Sequence, residues 1–186
     1  MLRRINVVGL VCMALLTGCA SQPKVDERFV MALSAPYRLD AGDQLRVVVF
    51  DQPDLSNTYA VDDSGNIAMP LIGDVTARGL TTQELQASVT AHLRDGFLRN
   101  PSVSVQVDTY RPFFILGEVG APGQYPYVAG LTAQTAVAIG GGYTTRAVRD
   151  MVQISRQYDG TIVEARIPID HPIRPGDTVY VLERWF

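Results

Sequence analysis

Residues 113–142 read FFILGEVGAPGQYPYVAGLTAQTAVAIGGG. Residues 113–116 are an apolar run with the length and composition of a strand. Gly117 and Gly120 bracket Glu118 and Val119, and Ala121, Pro122 and Gly123 follow. Pro122 fixes φ at one corner of a turn and Gly123 accepts a positive φ at the next, so the chain is expected to reverse here. A second strand is expected over residues 124–128. Thr132 then caps a short helix over residues 133–139, and Gly140, Gly141 and Gly142 stop it.

Strand, tight turn, strand, small-residue helix and glycine stop describe the front half of a β-grasp unit. The stretch resembles the soluble-ligand-binding β-grasp (SLBB) domain, whose G-E-V-x-x-P-G-x-Y turn and A-I-x-x-G-G helix end fall here in register, and the likeness runs to about residue 165. An unrelated αβ hairpin is the plain alternative. A phosphate-binding loop is disfavoured, because such loops precede a helix, where free N–H groups face the anion, and these glycines follow one.

At the start of the chain, Arg3 and Arg4 precede an apolar segment over residues 7–16, well short of the roughly 20 residues that span a bilayer as a helix. Leu16, Thr17, Gly18 and Cys19 follow and resemble the lipobox of bacterial lipoproteins, with Cys19 as the acylated residue; the alternative is an ordinary signal peptide with an incidental cysteine. Residues 1–18 are therefore expected to be a lipoprotein signal and residues 19–36 a lipidated flexible tether. Multiple acyl chains hold a protein stably on a membrane. Ala20, rather than Asp, after the cysteine points by resemblance to sorting to the outer membrane. Loss of the signal would leave Cys19 as the one thiol, so the folds must be held by packing without disulfides. It would also leave 14 basic against 19 acidic residues with no basic run, which argues against nucleic-acid binding.

Folded structure is expected from Tyr37. Gly42 and Asp43 make a turn before a buried-type strand over residues 45–50. A short strand over residues 58–62, a hairpin turn at Asp63, Ser64, Gly65 and Asn66, and a strand over residues 67–69 come next. Thr81 and Glu84 form a capping box for a helix with Leu85, Val89 and Leu93 on one face, stopped at Gly96. Val103, Val105 and Val107 alternate with polar residues as in a half-buried strand. Residues 37–109 resemble the polysaccharide biosynthesis and export domain, through Y-x-L-x-x-G-D-x-L-x-V-x-V-F, D-x-x-G-x-I-x-x-P-x-x-G, L-T-x-x-E-L and N-P-x-V-x-V. This domain followed by a β-grasp is the order found in outer-membrane polysaccharide export (OPX) lipoproteins.

The fold class is thus α+β in two small modules: a polysaccharide-export domain at 37–109 and a β-grasp at 110–167, then a turn and strand at 168–186. Residues 152–154 read as a strand, and Asp159 and Gly160 suit a hairpin into residues 162–167. Ile173, Arg174, Pro175, Gly176 and Asp177 echo Leu39, Asp40, Ala41, Gly42 and Asp43, as one turn-then-strand device used twice. The chain stops at Trp185 and Phe186, which reads as a short form without the C-terminal membrane helix of members that cross the membrane alone. A self-made β-barrel is disfavoured by the capped helix and the scattered prolines.

No catalytic constellation stands out. His92 and His171 lie far apart, residues 62–65 lack the ligand ladder of a calcium loop, and no nucleophile elbow surrounds Ser64. No enzyme, no metal and no cofactor beyond lipid on Cys19 is expected. The candidate oligomer or ligand surface is the turn carrying Gly117, Glu118, Pro122, Gly123 and Tyr125, with Tyr127 beside it. Glu118 could equally be a plain surface carboxylate and Tyr125 a core filler. The resemblance implies export of a capsular or extracellular polysaccharide by a ring homo-oligomer on the periplasmic face of the outer membrane. Its partners would be polymer in transit, an integral outer-membrane β-barrel and an inner-membrane polysaccharide co-polymerase. A monomeric periplasmic carbohydrate-binding lipoprotein and a polysaccharide-modifying enzyme are the alternatives.

Overall fold

The computed structural model describes Met31, residues 35–158 and residues 160–185. The signal segment, Cys19, most of the tether, Asp159 and Phe186 lie outside the described residues. Among those described, ten strands and two α-helices run in the order β1 (Gln44–Val49), β2 (Asn57–Ala60), β3 (Asn66–Met69), β4 (Gly73–Thr76), α1 (Thr82–Arg94), β5 (Val103–Thr109), β6 (Phe113–Gly117), β7 (Gly123–Tyr125), α2 (Ala133–Ile139), β8 (Met151–Tyr158), β9 (Thr161–Pro168) and β10 (Thr178–Val181). The mixture is α+β, as the sequence implies.

The first module is a three-stranded antiparallel sheet, β2-β1-β5, with a β3-β4 hairpin and α1 packed on it. Alternation decides what β1 buries: Leu45, Val47 and Val49 go inward with Val103 and Val105 of β5. Leu85, Val89 and Leu93 of α1 are wholly buried against them, each contributing about 1.5–3 kcal/mol by its burial. The helix starts at the expected capping box. The Thr81 N–H donates to Glu84 Oε2 at 2.7 Å, and the Glu84 N–H donates to Thr81 Oγ1 at 3.2 Å. The expectation of a buried-type strand at residues 45–50 needs correction. The sheet is covered on one face, so Val48 is 43% exposed and Phe50 78% exposed.

The second module is a five-stranded sheet of order β7-β6-β10-β8-β9. β6 and β10 run parallel at its centre, Ile115 beside Val179, and every other pairing is antiparallel. A hairpin, a helix across one face, and first and last strands parallel in the middle make the β-grasp topology. β10 is therefore an integral strand, and the module extends through residues 168–181 rather than closing near 167. α2 is capped by Thr132 and Thr135 in a reciprocal box, and its Ala133, Ala136 and Val137 face Phe113, Ile115, Ile154 and Val179 in a second core. Phe114, Leu116 and Tyr180 line the open side of the sheet.

Each core is a separate apolar cluster, and the chain passes between them at Tyr110, Arg111 and Pro112. Three tyrosines bridge the join edge to face, with ring centroids 5.2 Å apart for Tyr37 and Tyr110 and 5.5 Å for Tyr110 and Tyr127.

Candidate functional site

The echoed turns fold alike. In the first, the Asp40 N–H donates to Asp43 Oδ2 at 3.0 Å and the Asp43 N–H donates back to the Asp40 carbonyl at 3.2 Å. In the second, the Arg174 N–H donates to Asp177 Oδ2 at 2.7 Å and the Asp177 N–H to the Arg174 carbonyl at 3.1 Å. Each turn begins with a buried aliphatic residue, Leu39 or Ile173, and runs into a strand central to its sheet. Gly42 and Gly176 take φ values of 91° and 82°, which the turn needs and an L side chain resists.

The aspartates close these turns and are sealed from water, at 0% and 1% exposure. A buried carboxylate needs partners, and each finds different ones. Asp43 accepts from the Tyr37 hydroxyl at 2.7 and 2.8 Å and from the Arg111 N–H at 2.9 Å. Burial, more than any other cause, pushes the Tyr37 hydroxyl far up, so it stays protonated and donating. Asp177 instead accepts a bidentate pair from Arg156, Nε at 2.8 Å and NH2 at 2.6 Å. Arg156 ends the inward row Val152, Ile154, Arg156 of β8.

Arg111 threads between the two turns. A Cβ on Gly176 would lie 2.5 Å from its Nε, and a Cβ on Gly42 would lie 3.5 Å from its Cβ. Its guanidinium sits 5.6 Å above the Tyr37 ring and 3.6 and 3.7 Å from the carboxylates of Asp40 and Asp43. Around it opens a cleft of about 960 Å³ between the modules, lined by Arg38, Arg78, Arg111, Arg156 and Arg174, with Tyr37 and Tyr158. Burial alone would raise the Asp40 carboxyl, but the Ala41 N–H, Arg78 and Arg111 outweigh it and hold Asp40 below the usual range. Burial, then the neighbouring Arg156, lowers the Arg174 guanidinium. The cleft is thus a place where cations crowd, in a chain of formal charge −3.

The turn singled out in the sequence lies elsewhere on the second module. Gly117, at φ 85°, supplies the left-handed residue, and a Cβ there would lie 2.2 Å from the Val181 carbonyl oxygen. Gly123 has no positive φ and begins β7, which corrects the expected turn geometry. Glu118 accepts from the Thr144 hydroxyl, and its N–H donates to the Val181 carbonyl at 3.0 Å. Pro122 is exposed. Tyr125 donates to the Ala121 carbonyl at 2.7 Å and packs on Phe113 with centroids 6.1 Å apart. Tyr127 alone of this set reaches the join, donating to the Ile173 carbonyl at 3.2 Å.

The sequence reading missed the arginines and the buried aspartates. A charged residue in the inward phase of β8 was the available signal for Arg156. Among the described residues no cluster of three or more His, Cys, Asp or Glu could hold a metal ion, and no helix is long and apolar enough to cross a membrane.

Residues 32–108 match the family model described as "Polysaccharide biosynthesis/export protein". The chain is 37% identical over 124 residues to "Exopolysaccharide production protein ExoF" of Rhizobium meliloti, covering 60% of this chain and 30% of the relative. It is 26% identical over 199 residues to "EPS I polysaccharide export outer membrane protein EpsA" of Ralstonia nicotianae, covering 89% of this chain and 52% of the relative. It is 26% identical over 102 residues to "Polysialic acid transport protein KpsD" of Escherichia coli, covering 54% of this chain and 18% of the relative. The chain therefore spans about half or less of the length of these curated relatives. Over residues 32–108, the first module, the chain is thus similar to the polysaccharide biosynthesis/export family.

Proposed function

We propose that this protein takes part in exporting a capsular or extracellular polysaccharide across the outer membrane, as a lipid-anchored conduit component on the periplasmic face. The observation that carries this reading is the family match over residues 32–108, which contains the first glycine-aspartate turn and its side of the cleft. The relatives are named for production, export or transport of polysaccharide rather than for its chemical modification.

In this reading Cys19 carries the lipid. Several copies close into a ring, because a conduit built of small modules needs more than one around an axis, through heterologous contacts. The turn from Gly117 to Tyr127 and the open sheet side at Phe114, Leu116 and Tyr180 are the surfaces offered to neighbouring copies, large apolar and aromatic groups being favoured at interfaces. An integral outer-membrane β-barrel and an inner-membrane polysaccharide co-polymerase complete the route. Deleting the gene and analysing surface polymer for amount and composition tests the reading. Loss of surface polymer is expected; an unchanged amount with altered sugar chemistry would replace export by modification.

A further inference from the structure

We propose that the cleft between the two modules binds the carboxylate groups of an acidic polysaccharide, with Arg111 recognising them from within and Arg38 from the rim. This rests on the export reading and narrows its cargo to a uronate-type polymer.

Three observations carry it. The first is charge. Five guanidinium groups line the cleft, whereas Asp40 and Asp177 are its lining acids; Asp43 lies beneath and Glu84 pairs with Arg38 at 3.5 Å on its outer side. One positive charge is left over even after every one of these carboxylates is counted. Low-dielectric walls concentrate such a field, which draws an anionic polymer to the cleft. The second is an unspent donor. Arg111 NH1 is buried without a hydrogen-bond partner among the described residues, and its nearest carboxylate oxygens, at 3.6 and 3.7 Å, are beyond hydrogen-bonding reach. A buried guanidinium donor without an acceptor is costly, and the planar guanidinium fork matches a carboxylate better than a neutral sugar hydroxyl. The third is shape. About 960 Å³ accommodates a few sugar rings, and Tyr37 and Tyr158 give the walls the apolar surface that ring faces need. Arg156 and Arg174 hold the second turn and the wall in place through Asp177 and the Ala35 carbonyl.

The test is titration of the purified full chain with hexagalacturonate and, separately, with neutral maltohexaose, read by calorimetry and by amide shifts. Hexagalacturonate is expected to bind at least about tenfold more tightly, to shift amides of residues 38–41 and of Arg174, Gly176 and Asp177, and to be released at about 0.5 M salt. Arg38→Gln, at a half-exposed position, should weaken it several-fold; Arg111→Lys, which keeps the charge and loses the fork, should weaken it further. Equal affinity for both sugars, shifts mapping away from the cleft, or binding indifferent to both substitutions would overturn the proposal. A deletion strain that loses surface polymer while hexagalacturonate fails to bind sinks the cleft proposal alone. Binding without any effect of deletion on surface polymer sinks the export reading alone.

Discussion

Arg156 and Asp177 form a bidentate ion pair, Nε to Oδ1 2.8 Å and NH2 to Oδ2 2.6 Å, with 5% and 1% of the two side chains exposed. The pair ties the inward end of β8 to the turn that launches β10, the central strand of the β-grasp sheet. Leaving one charge buried without the other costs about 3–5 kcal/mol, whereas replacing both by apolar groups is often neutral. Asp177→Leu or Arg156→Met alone should therefore lower the urea midpoint strongly. The double variant should lose much less than the two losses combined. Additive losses would show that the residues act independently.

Gly117 separates two demands that glycine meets. Its φ of 85° disfavours any side chain, and the Val181 carbonyl oxygen leaves no room for a Cβ. Gly142 has nearly the same φ, 80°, but open space around it. Gly142→Ala should cost only the backbone penalty, on the order of 1–2 kcal/mol. Gly117→Ala should cost clearly more, because the β6–β10 pairing must shift. Equal midpoints for the two variants in denaturant would refute the close approach.

Much of this architecture was legible in the chain. The capping box at Thr81, the helix cap at Thr132, and the alternation of Val103, Val105 and Val107 were readable, because caps and pleats are local. The central place of β10 was not, since its parallel partner β6 lies some sixty residues earlier and parallel pairing leaves no hairpin signal. β4 was missed because a four-residue strand opening on Gly73 carries too little pattern, so the hairpin expected between residues 58–62 and 67–69 forms instead between β3 and β4. The run at Val47, Val48 and Val49 looked buried on both faces, yet one face of that sheet has no cover. The repeated glycine-aspartate turns were visible as turns. That their aspartates are buried, and that Arg111 from the join threads between them, depends on two distant segments meeting.

Asp40 gives a pH signature. Its carboxyl is held below 3.8, burial being outweighed by the Ala41 N–H, Arg78 and Arg111. A depressed folded-state pKa contributes stability that is present above the unfolded value and lost as pH falls through the folded one. Asp40→Asn should thus reduce stability near neutral pH, and the gap to wild type should close progressively as pH drops below about 4. A gap that stays constant between pH values of about 2 and 7 would exclude this role for Asp40.

Acylation of Cys19 and assembly can be read on one preparation. Metabolic labelling with a clickable fatty acid should mark the wild type and leave Cys19→Ser unmarked, and equal label in both would remove the anchor. Light scattering of the detergent-solubilised, labelled protein should give the mass of several copies. A strict monomer at micromolar concentration would contradict the ring.

The most direct measurement of the central claim is where newly made polymer goes. A deletion strain pulse-labelled with sugar precursor should hold labelled polymer inside the outer membrane and show little at the surface, and wild-type protein supplied in trans should restore the surface fraction. Surface label appearing at the wild-type rate in the deletion strain would contradict a role in export.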